Sequence, residues 1–311
     1  MVVKGQPTRL TLTAGAAHNR DIADETDYAA CRTIMLNASR NYSIASRFLP
    51  ADRRRHVEAL YALLRVGDDR VDVSHEGFDT ALAAINDWER AYWHAFETGT
   101  SPHPVMRAYL DTAARFEIPP GVLAPYFRAM RDDLTVTRFP TFGDLLHYMD
   151  GSAVPVGRAM THILGVREPH TLTDALPGAD ALSIAMQLSN FWRDVHEDWH
   201  VIGRVYIPQE DLDRFGVTEA DLAAGRVTGN YIRLMAFEFE RTERYYEQAR
   251  AAVPLLAAGR WGVMSGLEVY RSILTGIRRQ GYDVFSRRPA TGKARMLALI
   301  LRARWRSLRQ A

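Results

Sequence analysis

The stretch 182–217, LSIAMQLSNFWRDVHEDWHVIGRVYIPQEDLDRFGV, sets a polar stripe into an otherwise apolar helix. Ile184, Met186, Leu188 and Phe191 recur at helical spacing. Residues at i, i+3, i+4 and i+7 share one helix face, which aligns Gln187, Asn190, Asp194 and Asp198, with Arg193 and Glu197 beside them. Carboxylates at i and i+4, as at Asp194 and Asp198, repel by about 0.2–0.5 kcal/mol in an isolated helix. A chain carries that pair most easily at a fully solvated surface or around a cation. The apolar flanks argue against full solvation.

A second pair stands upstream. Residues 57–72 read VEALYALLRVGDDRVD, with Asp68 and Asp72 again at i and i+4. Arg65 lies one turn before them, Tyr61 two turns before, and Asp69 is adjacent. Magnesium takes oxygen ligands and is commonly held through one or two carboxylates plus the phosphates of a substrate. Two acidic helix faces lining one cavity therefore suit a diphosphate bridged by divalent ions, with arginines and tyrosines on its free oxygens. Either pair alone reads as a solvated face; the two together, with matched neighbours, read as a site. One competing pattern overlaps the second pair. His196-Glu197-Asp198-Trp199-His200 spells H-E-x-x-H, the helical zinc motif of metallopeptidases, but it leaves Asn190, Arg193, Asp194 and Asp198 without a role.

These residues also carry a resemblance. ALYALLRVGDDRVD resembles the first aspartate-rich motif of squalene and phytoene synthases, and QLSNFWRDVHEDW followed by GRVYIPQEDLDRFGV resembles the second with its flap. NYSIASRFLP at 41–50 and GYDVFSRR at 281–288 are similar to the family's N-terminal and C-terminal motifs. The ordered resemblance spans roughly residues 28 to 290 and is nearest to bacterial phytoene synthases. It implies an all-α, single-domain isoprenoid-synthase bundle with a central cavity. It implies magnesium, or manganese, held by Asp68, Asp72, Asp194 and Asp198. Two prenyl diphosphates would condense head to head through a cyclopropyl diphosphate and a second ionisation. Loss of a proton would then give phytoene from two C20 substrates, with no NADPH; squalene formation would need a hydride. Catalytic roles fall to Tyr61, Arg65, Tyr148, Asn190 and Arg193. Substrate contacts fall to Arg40, Asn41, Tyr42, Gln187, Arg204, Tyr206 and Tyr282. Tyr42 and Tyr148 would face the allylic cation. Three alternatives stand beside this reading: a C30 synthase of the same family (squalene, dehydrosqualene or hydroxysqualene), a zinc peptidase on His196 and His200, and a non-enzymatic protein on a decayed fold.

Composition narrows the setting. The 311 residues are 47% hydrophobic with a formal charge of +2, enough apolar material for a sizeable core and no basic footprint for nucleic acid. Cys31 is the sole cysteine, so no internal disulfide forms. No run reaches the apolar length of a membrane span, and the start lacks a secretory signal. The expectation is a cytoplasmic protein. The basic, amphipathic end at 293–309, with Leu297, Ile300, Leu301, Trp305 and Leu308 among arginines, is of a kind that can rest on the inner membrane.

Along the chain, residues 1–25 read as a mobile tail and 26–311 as one synthase domain. Helices are expected from 26 to 39, from Pro50 through Asp72, at 77–98 and 103–116, and from 119 to 133. The Trp88, Tyr92, Trp93 and Phe96 stripe reads as core. Gly67, inside a helix, suggests close approach of a ligand or neighbour. Gly151, Pro155 and Gly157 should break the helix at 141–165 and expose a cavity wall. Here the family often has Val-Ala-Gly-Thr-Val-Gly and this chain has Ser152-Ala153-Val154-Pro155-Val156-Gly157. A short lid helix at 210–216 and helices at 230–250 and 264–279 follow. The charge run FEFERTERYYEQAR is expected to form a solvated face.

Overall fold

The computed structural model describes residues 22–38, 46, 49–72, 75 and 77–288. Among these, twelve α-helices and no strand are found, joined by short 3₁₀ and π turns. Helix α1 spans Glu25–Ala38, α2 Ala51–Asp72, α3 Ala81–Thr98, α4 Pro104–Arg115, α5 Ala124–Asp132, α6 Phe142–Ser152 and α7 Val154–Leu164. Then come α8 Leu172–Glu197, α9 Gln209–Phe215, α10 Glu219–Ala223, α11 Gly229–Ala252 and α12 Arg260–Arg279. The segments 1–21 and 289–311, which hold most of the tail and the basic end, lie outside the described residues, as do Arg40, Asn41 and Tyr42.

Local chemistry fixes most boundaries. Thr141 with Asp144 and Thr171 with Asp174 form capping boxes that open α6 and α8, each satisfying helix N–H groups that have no intrahelical partner. Proline occupies the first turns of α4, α5 and α7, where its missing N–H costs nothing. Helix α8 starts ten residues before the stretch that carries the second motif and continues into a π turn, Asp198–Ile202.

Two apolar clusters divide the interior. One is built by α1 to α5 with part of α7 and contains Trp88 and Tyr92, as the aromatic stripe predicts. The other is built by α6, α8, the 203–217 connection, α11 and α12 around Phe191, Trp192 and Tyr246. Helix α7 packs against both α2 and α8, so the two aspartate-bearing helices are held through a shared neighbour. The first motif lies on the first cluster, the second motif on the other.

The glycine expectations receive specific answers. A Cβ on Gly67 would stand 2.2 Å from the Tyr126 hydroxyl, so the close neighbour is a side chain of α5. A Cβ on Gly157 would meet Ser183 Oγ at 2.2 Å and Ala179 O at 3.0 Å, which makes Gly157 the contact that lets α7 lie against α8. The helix break itself falls at Ala153, with φ −131° and ψ −48°, between α6 and α7.

The charged face of α11 is solvated at Glu240, Arg244 and Glu247, as expected, but is covered at its centre. Glu238 is 0% exposed and Thr242 is fully buried. Arg241 bridges Glu238 at 3.1 Å and Asp211 of α9 at 2.8 Å, with its guanidinium over the rings of Phe142 and Phe237. Burial and the neighbouring Asp211 push the Glu238 carboxyl up to about 8. The run reads as solvated in sequence because α9, which covers it, folds back from about thirty residues upstream.

Candidate active site

The first pair lies on the last two turns of α2. Asp68 accepts a hydrogen bond from the Tyr126 hydroxyl at 3.0 Å, and the same hydroxyl donates to Leu64 O at 2.8 Å. Desolvation pushes the Asp68 carboxyl up to about 7, with the Asp72 charge adding to it. Asp72 is more exposed, and its carboxyl is raised by desolvation against the opposing pull of Arg65 and Arg204. Arg65 pairs with Asp69 at 2.5 Å, so Asp69 serves to hold the arginine beside the pair. Tyr61 stands one turn before Arg65.

The second pair ends α8. Asp194 is gripped from two sides, by Arg193 Nε at 2.8 Å and by Arg288 Nε at 2.9 Å. Arg288 also reaches Glu197 at 3.2 Å. Asp198 opens the π turn, and desolvation with the charges of Asp194 and Glu197 pushes its carboxyl up to about 7. Gln187 and Asn190 lie half-buried on the same helix. Tyr282 packs its ring against Phe239. Further along that C-terminal segment, Arg288 is the group that reaches the second motif. It closes the GYDVFSRR stretch that resembles the family's C-terminal motif, but the sequence reading assigns it no role.

Arg204 joins the two halves. The backbone around it is zipped to residues 137–140 through Val205 N to Thr137 O at 3.0 Å and Gln209 N to Phe139 O at 2.9 Å. Its guanidinium donates to Asp133 Oδ1 at 2.6 Å, to Asp133 O at 2.7 Å and to the Tyr206 hydroxyl at 2.8 Å. Its positive charge bears on both Asp72 and Asp198, so one guanidinium is within electrostatic reach of both pairs. Tyr148 also donates to Asp133 Oδ1, at 2.8 Å. An aromatic wall adjoins this cluster: Phe191 stacks on Tyr206 with centroids 3.6 Å apart, and Tyr148 lies within 6.4 Å of Phe191 and 6.0 Å of Tyr206.

Residues 35–295 match the family described as squalene/phytoene synthase. The chain belongs to the squalene/phytoene synthase family. A 15-cis-phytoene synthase of Synechococcus elongatus is 32% identical over 270 residues, 84% of this chain and 87% of its own. A phytoene synthase of Arthrospira platensis is 33% identical over 271 residues, again 84% and 87%. Among solved structures, a dehydrosqualene synthase in complex with ligand superposes with a TM-score of 0.82 at 26% identity, covering 91% of this chain and 97% of its own. The squalene synthase HpnC from Alicyclobacillus acidocaldarius gives 0.74 at 31% identity, covering 83% and 95%. The architecture is therefore the isoprenoid-synthase helical fold, as the sequence predicts.

The family is known for divalent metal use, and the donor set here fits it. All four aspartates offer oxygen only, the choice of a hard cation. Asp68 and Asp198 are carboxyls whose charged form their surroundings disfavour, and a nearby cation reverses that penalty. Among the described residues, no three His, Cys, Asp or Glu side chains gather closely enough to hold an ion unaided. The zinc pattern fares differently. His196 and His200 lie exposed with rings edge-on at 4.4 Å, Glu197 is paired with Arg288, and among the described residues no further ligand joins them.

Proposed function

We propose that this prenyltransferase condenses two geranylgeranyl diphosphates head to head to phytoene, through the cyclopropyl diphosphate and with release of diphosphate. The observation that carries this reading is a buried guanidinium, Arg204, whose charge reaches an aspartate of each pair, with an apolar aromatic wall alongside. The kinship with phytoene synthases at 32–33% identity supports the C20 substrate.

In this reading Asp68, Asp72, Asp194 and Asp198 hold magnesium, which supplies Lewis-acid neutralisation of the departing diphosphate. Arg65, Arg193 and Arg204 share the charge that develops on the leaving oxygens, as donors fixed before the bond breaks. Arg193 and Arg288 hold Asp194 in the free protein. The stacked faces of Phe191 and Tyr206, with Tyr148, keep water from the allylic cation and stabilise it by about 0.5–2 kcal/mol per ring. Gln187 and Asn190 extend the polar face of α8 toward the diphosphate, and Tyr61 does so on α2. Arg40, Asn41 and Tyr42 stay as sequence-based assignments at the substrate entrance, and Tyr282 as one in the C-terminal segment. The alkene forms by loss of a proton, so no nicotinamide is consumed.

No helix among the described residues is long and apolar enough to cross a membrane. The basic, amphipathic sequence 293–309 suits contact with the inner face of the cytoplasmic membrane, into which a C40 hydrocarbon must pass.

The test is incubation of the purified protein with C15 and C20 diphosphates and magnesium, with and without NADPH. Phytoene from the C20 substrate without NADPH is the expected product. A C30 product formed in preference, as in the dehydrosqualene and squalene synthase structures, would replace the C20 assignment.

A further inference from the structure

A second convergence of polar groups falls on a residue that belongs to neither aspartate pair. Asp133 follows the last residue of α5, and its backbone is fixed there by its own N–H to Ala129 O at 2.9 Å and by Val136 N to Asp132 O at 2.7 Å. One carboxylate oxygen accepts from Tyr148 at 2.8 Å and from Arg204 at 2.6 Å, while its carbonyl accepts from the other terminal nitrogen of Arg204 at 2.7 Å. A guanidinium is planar, so two nitrogens held by one residue fix the whole plane. With Tyr206 on Nη1 at 2.8 Å, three of the five N–H donors are used, and the remaining edge is Nε with the second N–H of Nη2. The Nε nitrogen is buried and without a hydrogen-bond partner among the described residues, although Arg204 as a whole is 8% exposed. Buried donors are mostly satisfied, and an open Nε is a feature Arg204 shares with Arg53, Arg65 and Arg128, so it is the fixed plane of the guanidinium that carries the inference.

We propose that Asp133 is a positioning residue that locks the Arg204 guanidinium with its Nε edge toward the substrate diphosphate, and that turns the Tyr148 hydroxyl away from the reacting carbons. The proposal rests on the diphosphate reading of the site given above. A purely architectural role for Asp133 is the competing account, but the two segments it bridges are already tied without it. Val205 N to Thr137 O, Gln209 N to Phe139 O and Glu210 N to Pro140 O join their backbones. Arg138 adds Glu219 at 2.9 Å and Gly203 O at 2.6 Å. The fold has its fastening; what Asp133 adds is the orientation of one guanidinium and one phenol. The consequence is specific: the contribution of Asp133 to anion binding should exist only while Arg204 is present.

Calorimetric titration of pyrophosphate with magnesium into the intact protein reads this directly, without turnover. Asp133→Ala and Arg204→Met should each weaken binding by about 10- to 100-fold, the range seen when a partner that orients a binding group is removed. The double variant should bind no more weakly than Arg204→Met alone. Wild-type affinity in Asp133→Ala, or losses that multiply in the double variant, would overturn the proposal. Should Asp133→Ala fail to fold by circular dichroism, Asp133→Asn takes its place. It keeps one acceptor but loses the charge, and should weaken binding by a smaller factor that vanishes in the Arg204→Met background; unchanged affinity in Asp133→Asn would equally overturn it. A wild type that binds no pyrophosphate with magnesium would instead remove the diphosphate reading, so the two failures are distinct.

Discussion

Replacing Gly67 by alanine sets two opposed effects against each other at the first motif. In an ordinary helix interior the change stabilises by about 1 kcal/mol, through propensity and a less flexible unfolded chain. Here the new Cβ would stand 2.2 Å from the Tyr126 hydroxyl, 3.1 Å from its Cζ and 3.2 Å from Trp88 Cδ1. The hydroxyl must retreat by more than about 1 Å to reach van der Waals distance, and that breaks its bonds to Leu64 O and Asp68 Oδ1. Overpacking costs about 1–3 kcal/mol, and stranding a buried hydroxyl about 1–3 kcal/mol more. The net expectation is a loss of about 1–5 kcal/mol. Urea unfolding followed by circular dichroism measures it, in Gly67→Ala, Tyr126→Phe and the double variant. Tyr126→Phe deletes the clashing oxygen, so the double variant should be more stable than the two single losses added, by about 1–2 kcal/mol. Turnover should fall in Gly67→Ala as well, since Asp68 loses its Tyr126 donor. A Gly67→Ala protein as stable as wild type, or strict additivity, would refute the packing argument.

Three further outcomes are expected. In the absence of divalent ions, Asp68→Asn should match wild type near pH 4 and become more stable by about 1–3 kcal/mol above pH 7. The folded protein holds the Asp68 proton up to about 7 while the unfolded chain releases it near 4, so wild-type stability is lost across that window; melting curves at stepped pH in EDTA would show the difference, and a constant offset would contradict it. Asp194→Ala should abolish turnover on prenyl diphosphates and also lower the melting temperature slightly, by about 1 kcal/mol or less in stability, since Arg193 and Arg288 lose their shared partner; a rise would mean that repulsion from Asp198 outweighs those two contacts. His196→Ala should keep both turnover and fold, measured with and without added zinc, and loss of activity that zinc restores would revive the H-E-x-x-H reading.

Much of this protein is written locally. Capping residues, prolines at first turns and the 3.6-residue spacing of apolar side chains place most of the helices to within about five residues, because these signals act between neighbours in the chain. Helix α8 nonetheless begins ten residues before the stretch that announces it, and α10 has no counterpart among the expected helices. The two Asp-x-x-x-Asp pairs are legible for the same reason: i and i+4 share a helix face wherever the helix goes. The Trp88 and Tyr92 stripe announces core by the same periodicity. What periodicity cannot say is what covers a face. Glu238 reads as solvated and is sealed by Asp211 and Arg241 once α9 folds over α11. Gly67 reads as a space kept for a ligand or a neighbouring element, and the Tyr126 hydroxyl fills it. In sequence Asp133 is only the last residue of an expected helix, 119–133. Its partner is Arg204, 71 residues on, and Asp194 likewise meets Arg288 across 94. Such contacts leave no spacing signature, because the distance between the groups is set by how helices pack and not by how many residues separate them. The sequence by itself determined the helices and the acidic faces that make a site of this kind possible. Tertiary packing alone decided that the charge of Arg204 reaches both faces and that Asp133 holds its guanidinium, since a guanidinium on a flexible side chain takes its direction only from the groups that surround it.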